Sequence, residues 1–185
     1  MRVIGVDPGS SATGFGVIQG QSGAYEHIAA GVIRPGARAA YPEKLLAIYR
    51  RLCELIGQYS PDAMSLERTF VAVNVQSAFR LGEARAMALL AAAGHRLEIF
   101  EYAPAHVKLT VAGHGRADKG QVKFMVRRAL AMEEAPPLAD DAADALAIAI
   151  CHVHNSNGSS GSAGSARSSG VPARSRSTSW RAYRP

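Results

Sequence analysis

The chain has 185 residues, of which 48% are hydrophobic, and its net charge is +6 at pH 7. This length suits one full-sized domain, and no apolar run approaches the length of a membrane-spanning helix. The beginning of the chain lacks the features of a secretion signal, so we expect a cytoplasmic protein. Cys53 and Cys151 lie in apolar contexts without metal-type spacing, and we expect both to be reduced.

The positive charge is concentrated at the end of the chain. Residues 155–185 contain five arginines and no acidic residue, whereas residues 1–154 have a net charge of only +1. The last segment is mostly Ser, Gly, Ala and Arg, which cannot bury enough apolar surface to offset chain entropy. The sequence therefore predicts a domain over residues 1–154 and a disordered basic tail over 155–185. Such a tail favours polyanions, although it is also a common solubilising feature.

Five segments have the composition of β-strands. The first is the apolar run at residues 3–6, which ends in Asp7 and is followed by a sharp turn at Pro8-Gly9. The fourth strand also ends in an acid, Glu67. The second, third, fourth and fifth predicted strands cover residues 13–18, 25–33, 63–67 and 97–102.

Helices are predicted between and after these strands. Apolar residues at helical spacing indicate a helix over residues 42–56, and an Ala- and Leu-rich helix covers residues 76–93, with Gly94 as its C-terminal cap. The alternation of strands and helices predicts an α/β fold with a mixed sheet, while the order of its strands stays open. A short helix is predicted from Pro104 and is followed by a loop at 111–115. A capping box of Asp118 and Gln121 begins a helix that ends at residue 132. The last helix runs from Asp140 to about residue 154.

The helix over residues 76–93 is apolar around most of its circumference. Only Arg80, Glu83 and Arg85 give it a polar side, and Gly82 allows close approach of another element. Burial in the core of one molecule accounts for part of this pattern. A two-fold dimer accounts for the excess better, so we expect a homodimer.

Four acidic residues are candidates for one site. Asp7 and Glu67 end strands, whereas Asp141 and Asp144 share one face at the start of the last helix. An isolated aspartate pair of this kind is usually an N-cap with a solvated neighbour. The alanines after Asp144, however, allow the helix to pack close against the sheet and bring its first turn near the strand ends. Four converging carboxylates need a divalent cation, and Mg²⁺ or Mn²⁺ suits such an oxygen-rich site.

Several motifs follow one another from residue 1 to about 154. Together they resemble the RuvC Holliday-junction resolvases, or crossover junction endodeoxyribonucleases, and several motifs in register are far more specific than a lone Asp-x-Gly. The motifs are Val-Ile-Gly-Val-Asp7-Pro-Gly-Ser-Ser-Ala-Thr-Gly-Phe-Gly, Leu-Glu67-Arg-Thr-Phe70, Gln76-Ser-Ala-Phe-Arg-Leu-Gly-Glu-Ala-Arg85, Tyr102-Ala-Pro-Ala-His-Val-Lys108, Val111-Ala-Gly-His-Gly-Arg-Ala-Asp-Lys119 and Asp141-Ala-Ala-Asp-Ala-Leu-Ala-Ile-Ala149.

The resemblance implies a ribonuclease-H-like fold with a mixed five-stranded sheet flanked by helices. It also implies a homodimeric, metal-dependent endonuclease that nicks two opposed strands of a four-way DNA junction in recombination and repair. The family's catalytic acids fall on Asp7, Glu67, Asp141 and Asp144, which would bind two Mg²⁺ or Mn²⁺ ions. The family's partner is the RuvA–RuvB branch-migration complex.

The resemblance also implies roles in DNA binding. The family's DNA-contacting lysines fall on Lys108 and Lys119, and its aromatic residue that stacks on an unpaired base falls on Phe70. Asp140 precedes the acid pair, and we expect it to cap the last helix. His106 and His114 are candidates for general bases or phosphate contacts, but we expect both to be surface or hydrogen-bonding residues.

Three other functions are compatible with parts of the sequence. Actin-like and sugar-kinase ATPases also have a phosphate-binding hairpin with Asp-x-Gly, but they need two such domains and this chain has one. In a non-cleaving junction-binding protein the acids would be incidental. A less specific ribonuclease-H-like nuclease would not need Phe70 or the lysines.

Overall fold

The computed structural model describes residues 1–21, 23–68 and 75–158, with side chains up to residue 156. Among these residues, none of the helices combines the length and the apolar composition of a membrane span. The elements are β1 (Arg2–Asp7), β2 (Thr13–Gln21), β3 (Ala24–Ile33), α1 (Tyr41–Tyr59), β4 (Ala63–Glu67), α2 (Val75–Gly94), β5 (Glu98–Tyr102), α3 (Pro104–Ala112), α4 (Lys119–Ala129) and α5 (Asp140–Gly158).

The five strands form one mixed sheet in the order β3-β2-β1-β4-β5. The pairs β1–β2 and β2–β3 are antiparallel, whereas β1–β4 and β4–β5 are parallel. The predicted mixed five-stranded sheet is therefore confirmed. In the parallel pair Val6 lies beside Leu66, so the residues that follow them, Asp7 and Glu67, end neighbouring strands at the same edge of the sheet.

Helices cover both faces of the sheet. Successive side chains of β1 point alternately to one face and to the other. Ile4 and Val6 are fully buried in a core with α1 and α2, while Val3 is fully buried in a second core with α3, α4 and α5. Because side chains alternate along a strand, Gly5 and Asp7 share the face of Val3. Asp7 therefore points to the layer that contains α5.

α5 packs directly on a glycine surface of the sheet. A Cβ atom on Gly5 would lie 2.1 Å from the carbonyl oxygen of Ala145, and one on Gly14 would lie 1.9 Å from that of Asp141. Neither contact is possible, so only glycine at these positions lets the helix backbone come so close to the strands. The close packing expected from the alanines of α5 is confirmed, and the strands contribute to it with glycine.

The predicted helices are present, but several of their ends differ. Gly94 is the last residue of α2 and not its left-handed cap, because the positive φ, 58°, is that of Arg96. α3 continues to Ala112 and ends at Gly113, whose φ is 81°, so part of the predicted loop is helical.

The last two helices also differ in length from the prediction. α4 ends at Ala129 and not at residue 132, because Arg127 donates to three main-chain carbonyls of residues 133, 135 and 136 and turns the chain there. α5 runs to Gly158, four residues further than predicted. The predicted capping box of α4 is confirmed: the side chain of Asp118 accepts from Gln121 N–H, and Asp118 N–H donates to Gln121 Oε1.

The substitution Gly14→Ala tests whether the close approach of α5 positions its first turn. The added methyl group displaces the main chain at Asp141, so we expect the free energy of unfolding to fall by about 1–3 kcal/mol, the usual cost of overpacking. Urea denaturation measures this change. Gly57→Ala is the matched control: a Cβ on this glycine of α1 meets nothing within 4 Å, so stability should stay unchanged or rise slightly. An equal effect of the two substitutions would contradict the packing argument.

Candidate active site

A cavity of about 230 Å³ opens at the carboxyl ends of β1 and β4. Its lining combines three acids and two bases with an apolar wall from α3, α4 and α5. The lining residues are Asp7, Glu67, Pro104, Val107, Lys108, Lys119, Val122, Asp144, Ala147 and Ile148. The structure thus brings together five of the predicted site residues, which are spread over more than 130 positions of the chain.

The turn after Asp7 is held by a side chain from β2. The hydroxyl group of Thr13 donates to the carbonyl oxygen of Gly9 at 2.8 Å and accepts from the Gly9 N–H at 3.3 Å. Thr13 is fully buried, so these bonds are shielded from water. Thr13 therefore holds the turn at Gly9, two residues after Asp7.

The aspartates of α5 are positioned by the packing of that helix on the sheet. Besides the contacts at glycine, the buried hydroxyl of Ser65 in β4 donates to the carbonyl oxygen of Ile148 at 3.3 Å. Asp144 lines the cavity, whereas Asp141 is not among its lining residues. The charge of Asp141 nevertheless acts on both Asp7 and Asp144. Asp141 therefore lies at the margin of the site.

The carboxyl group of Asp7 has the most altered proton affinity of the site. Burial, followed by the charges of Asp144, Glu67 and Asp141, raises its pKa from 3.8 to about 7, and Lys119 opposes the shift. Such a shift arises when a carboxylate is removed from water without enough compensating positive charge. At neutral pH this site therefore favours binding of a cation.

Two lysines partly compensate the other acids. Burial and Asp144 raise the pKa of Glu67, while Lys108 and Lys119 lower it. Burial also raises the pKa of Asp144, whose carboxylate lies 3.6 Å from the ammonium group of Lys119. The side chain of Lys119 is 80% exposed, so this contact is a loose one at the mouth of the cavity.

The chemistry of the donor set fits divalent cations. Carboxylate oxygens are the ligands that Mg²⁺ and Mn²⁺ prefer, and the raised pKa of Asp7 shows a need for positive charge. In the described residues no three acidic, histidine or cysteine side chains converge closely enough to enclose one ion. Like charges repel one another, so carboxylates approach closely only when a cation lies between them. Asp7, Glu67 and Asp144 line one cavity, and binding of a shared ion requires their carboxylates to move closer together.

The remaining predicted residues lie around the cavity or outside the described part of the chain. Asp140 is inside the first turn of α5 and binds Lys123 at 2.7 Å, so it does not cap the helix as predicted. His106 lies 3.2 Å from Asn155 Oδ1 and stacks on a tyrosine, and His114 is exposed. Phe70 lies outside the described residues.

One contact to a site residue was missed by the sequence analysis. Arg85 of α2, assigned only to the polar side of that helix, donates from Nη1 to the carbonyl oxygen of Glu67 at 2.7 Å and pairs with Glu101 of β5. The available signal was a charged residue in an apolar helix, because an arginine that is largely removed from water needs partners. Its partners could not be identified without the fold.

Comparisons with known proteins place the chain in a family. The sequence model described as "Crossover junction endodeoxyribonuclease RuvC" matches residues 3–152. A protein of that name from Alkalilimnicola ehrlichii is 43% identical over 156 residues, covering 84% of this chain and 93% of the relative. One from Legionella pneumophila strain Philadelphia 1 is 46% identical over 156 residues, covering 84% and 88%.

A solved structure agrees with the sequence matches. It is that of Thermus thermophilus RuvC in complex with a Holliday-junction substrate, with a TM-score of 0.81, 31% sequence identity, and coverage of 86% of this chain and 96% of the other. This similarity confirms the ribonuclease-H-like fold expected from the sequence. The chain belongs to the RuvC family of crossover junction endodeoxyribonucleases.

Proposed function

We propose that this chain resolves four-way DNA junctions by hydrolysing phosphodiester bonds at the cavity lined by Asp7, Glu67 and Asp144, with Asp141 at its margin. The observation that carries the proposal is the gathering of under-compensated carboxylates at one edge of the sheet, expressed in the raised pKa of Asp7. Membership of a family of metal-dependent nucleases agrees with this chemistry. It does not favour the ATPase or the non-cleaving junction-binding protein.

Each acid has a distinct place in the proposed reaction. Asp7 is central because it ends β1, the middle strand of the sheet, and Glu67 and the Asp141/Asp144 pair flank it. Two Mg²⁺ or Mn²⁺ ions, when bound, would activate a water molecule and stabilise the leaving 3′-oxygen. The protein contributes by fixing the carboxylates and orienting the phosphate, which is how enzymes lower the barrier of this reaction.

Lys108 and Lys119 are proposed to bind the phosphates of the DNA. Both line the cavity that contains the acids, and both lower the pKa of Glu67, so their ammonium groups lie close to the site. Lys119 is the first residue of α4, where the helix dipole disfavours a cation. Its exposure leaves it free to contact a phosphate. Phe70 is proposed to stack on an unpaired base.

The homodimer is proposed to form through α2. Val75, Phe79 and Leu90 lie on this helix with 68%, 69% and 55% of their surface exposed. A Cβ on Gly82, between them, would meet nothing within 4 Å. A second α2 helix packed on this exposed face would bury these side chains and approach closely at Gly82. Two active sites related by a two-fold axis suit paired nicks in opposed strands.

The biological setting follows the family resemblance. We propose that the protein acts in the cytoplasm, in recombination and repair, with the RuvA–RuvB branch-migration complex as its partner. The basic composition of residues 155–185 is suited to additional contact with DNA.

The substitution Asp7→Asn tests the proposed function. We expect cleavage of a synthetic four-way junction in Mg²⁺ to fall by at least about 10³-fold, because a central ligand is lost, while binding of the junction is retained or improved. Gel assays of nicking and of mobility measure the two quantities. The matched control is Asp140→Asn, which changes an exposed acid paired with Lys123 and should leave cleavage within about twofold. Cleavage by the Asp7 variant at nearly the normal rate would contradict the proposal.

The raised pKa of Asp7 also predicts how stability depends on pH. In the folded protein the carboxyl group keeps its proton up to about pH 7, whereas the unfolded chain releases it near 3.8. Without metal, stability should therefore fall as the pH rises between these values, by at most about 4 kcal/mol at roughly 1.4 kcal/mol per pKa unit. Asp7→Asn should remove this loss and melt several degrees higher than the unaltered protein at pH 8, but not at pH 4. Thermal melts in EDTA measure the effect, and parallel pH profiles of the two proteins would contradict it.

The dimer interface predicts a change of oligomeric state. Phe79→Glu places a charge on the exposed face of α2 and should convert the dimer to a monomer in sedimentation equilibrium. Phe124→Glu is the matched control, since this phenylalanine is 59% exposed on α4 and should leave the dimer intact. A dimer that persists in the Phe79 variant, or one that both substitutions disrupt, would contradict the assignment of α2.

A further inference from the structure

Arg85 connects α2 to the ends of two strands beside the active site. Its Nη1 atom donates to the main-chain carbonyl of Glu67 at 2.7 Å, and its Nη2 atom pairs with the carboxylate of Glu101 in β5. Only 14% of the side chain is exposed. A partly buried guanidinium group with two such partners has little freedom, because its planar fork is fixed by both bonds.

The sheet register explains why these groups meet. Glu101 lies beside Leu66, and Tyr102 lies beside Glu67. Side chains alternate along a strand, so Leu66 and Glu101 face α2 while the side chain of Glu67 faces the opposite layer, where the cavity lies. Arg85 therefore approaches the main chain of Glu67 from the face of the sheet opposite to the cavity.

The contact reaches the peptide group of Glu67 and not its carboxylate. The charges that lower the pKa of this carboxylate include Lys108 and Lys119, which line the cavity on the other face. The next residue adds a second constraint, because Arg68 N–H donates to the carbonyl oxygen of Tyr102 at 2.7 Å. Both polar groups of the peptide between Glu67 and Arg68 are thus held, the carbonyl by α2 and the N–H by β5.

We propose that Arg85 is a positioning residue for the active site: it fixes the main chain at the end of β4 so that Glu67 can share a divalent cation with Asp7. This inference rests on the proposed function, in which Glu67 is a metal ligand. It adds a dependence of the site on α2, the helix proposed to form the dimer. Partners that orient a ligand in this way typically change metal affinity by about 10–100-fold when they are removed.

Arg85→Lys tests the proposal because it keeps the positive charge and removes the planar fork. Isothermal titration of the metal-free protein with Mn²⁺ at pH 8 should show affinity about tenfold weaker than in the unaltered protein. The Mn²⁺ concentration that gives half-maximal junction cleavage should rise by a similar factor, and saturating Mn²⁺ should restore most of the rate. The Arg68 amide should also exchange its hydrogen faster, since the strand end is less constrained.

A matched control separates this effect from a general loss of an ion pair. Arg51→Lys makes the same change in the exposed Arg51–Glu54 pair of α1 and should leave Mn²⁺ affinity unchanged. If Arg85→Lys fails to fold, Glu101→Gln replaces it: this substitution removes one partner of Arg85 and should weaken Mn²⁺ binding in the same direction but less.

The outcomes distinguish this inference from the proposed function. An unchanged Mn²⁺ affinity in the folded Arg85 variant, or in Glu101→Gln if that variant is used, overturns the positioning role. A loss of cleavage that saturating Mn²⁺ does not restore also overturns it. If Asp7→Asn still cleaves junctions, the proposed function fails by itself, whatever the Arg85 variant does.

Discussion

The close contact between α5 and the glycine surface of β1 and β2 is the constraint on which the site depends. Acidic side chains that repel one another do not gather spontaneously, so other interactions have to hold their backbones together. Gly5 and Gly14 allow α5 to approach, and the apolar side of the helix is buried along the sheet. The stability of this packing offsets the repulsion between Asp141 and Asp144 near the start of the helix. The acidic site thus lowers the stability of the fold locally, and the extensive core around α5 offsets this loss.

The opposite face of the sheet contributes in a different way. There α1 and α2 form a second core, and Arg85 extends from α2 to the end of β4. One face supplies aspartates through α5, while the other restrains the strand that carries Glu67. The site therefore depends on both layers, and its geometry is sensitive to changes far from the metal-binding atoms. If two protomers pair through α2 as proposed, the interface and Arg85 lie on the same helix. Each active site is then only a few residues from the interface.

Much of the fold and most of the acidic site could be predicted from the sequence because their signals are local. Apolar runs ending in Asp7 and Glu67 identified two strands, and the spacing of Asp141 and Asp144 identified one helix face. The helix ends at Gly94 and Ala129 were predicted less well, because left-handed residues, Arg96 and Ala131, follow them, and neither is the glycine that usually marks such a turn. The role proposed for Arg85 depends on strand order, which local patterns do not specify. Likewise, the packing role of the glycines under α5 can be recognised only once the helix that covers them is known.

The length of α5 separates the two ends of this helix widely. Fourteen residues lie along the axis from Asp144 to Gly158, which is about 21 Å at the usual rise per residue. Near its end the helix contacts the beginning of β1, where the hydroxyl of Ser156 lies 3.1 Å from the sulfur of Met1. A dye attached near Ser156 would thus sit at the opposite end of α5 from Asp144. Single-molecule recordings of junction resolution could use this end of α5 as their labelling position.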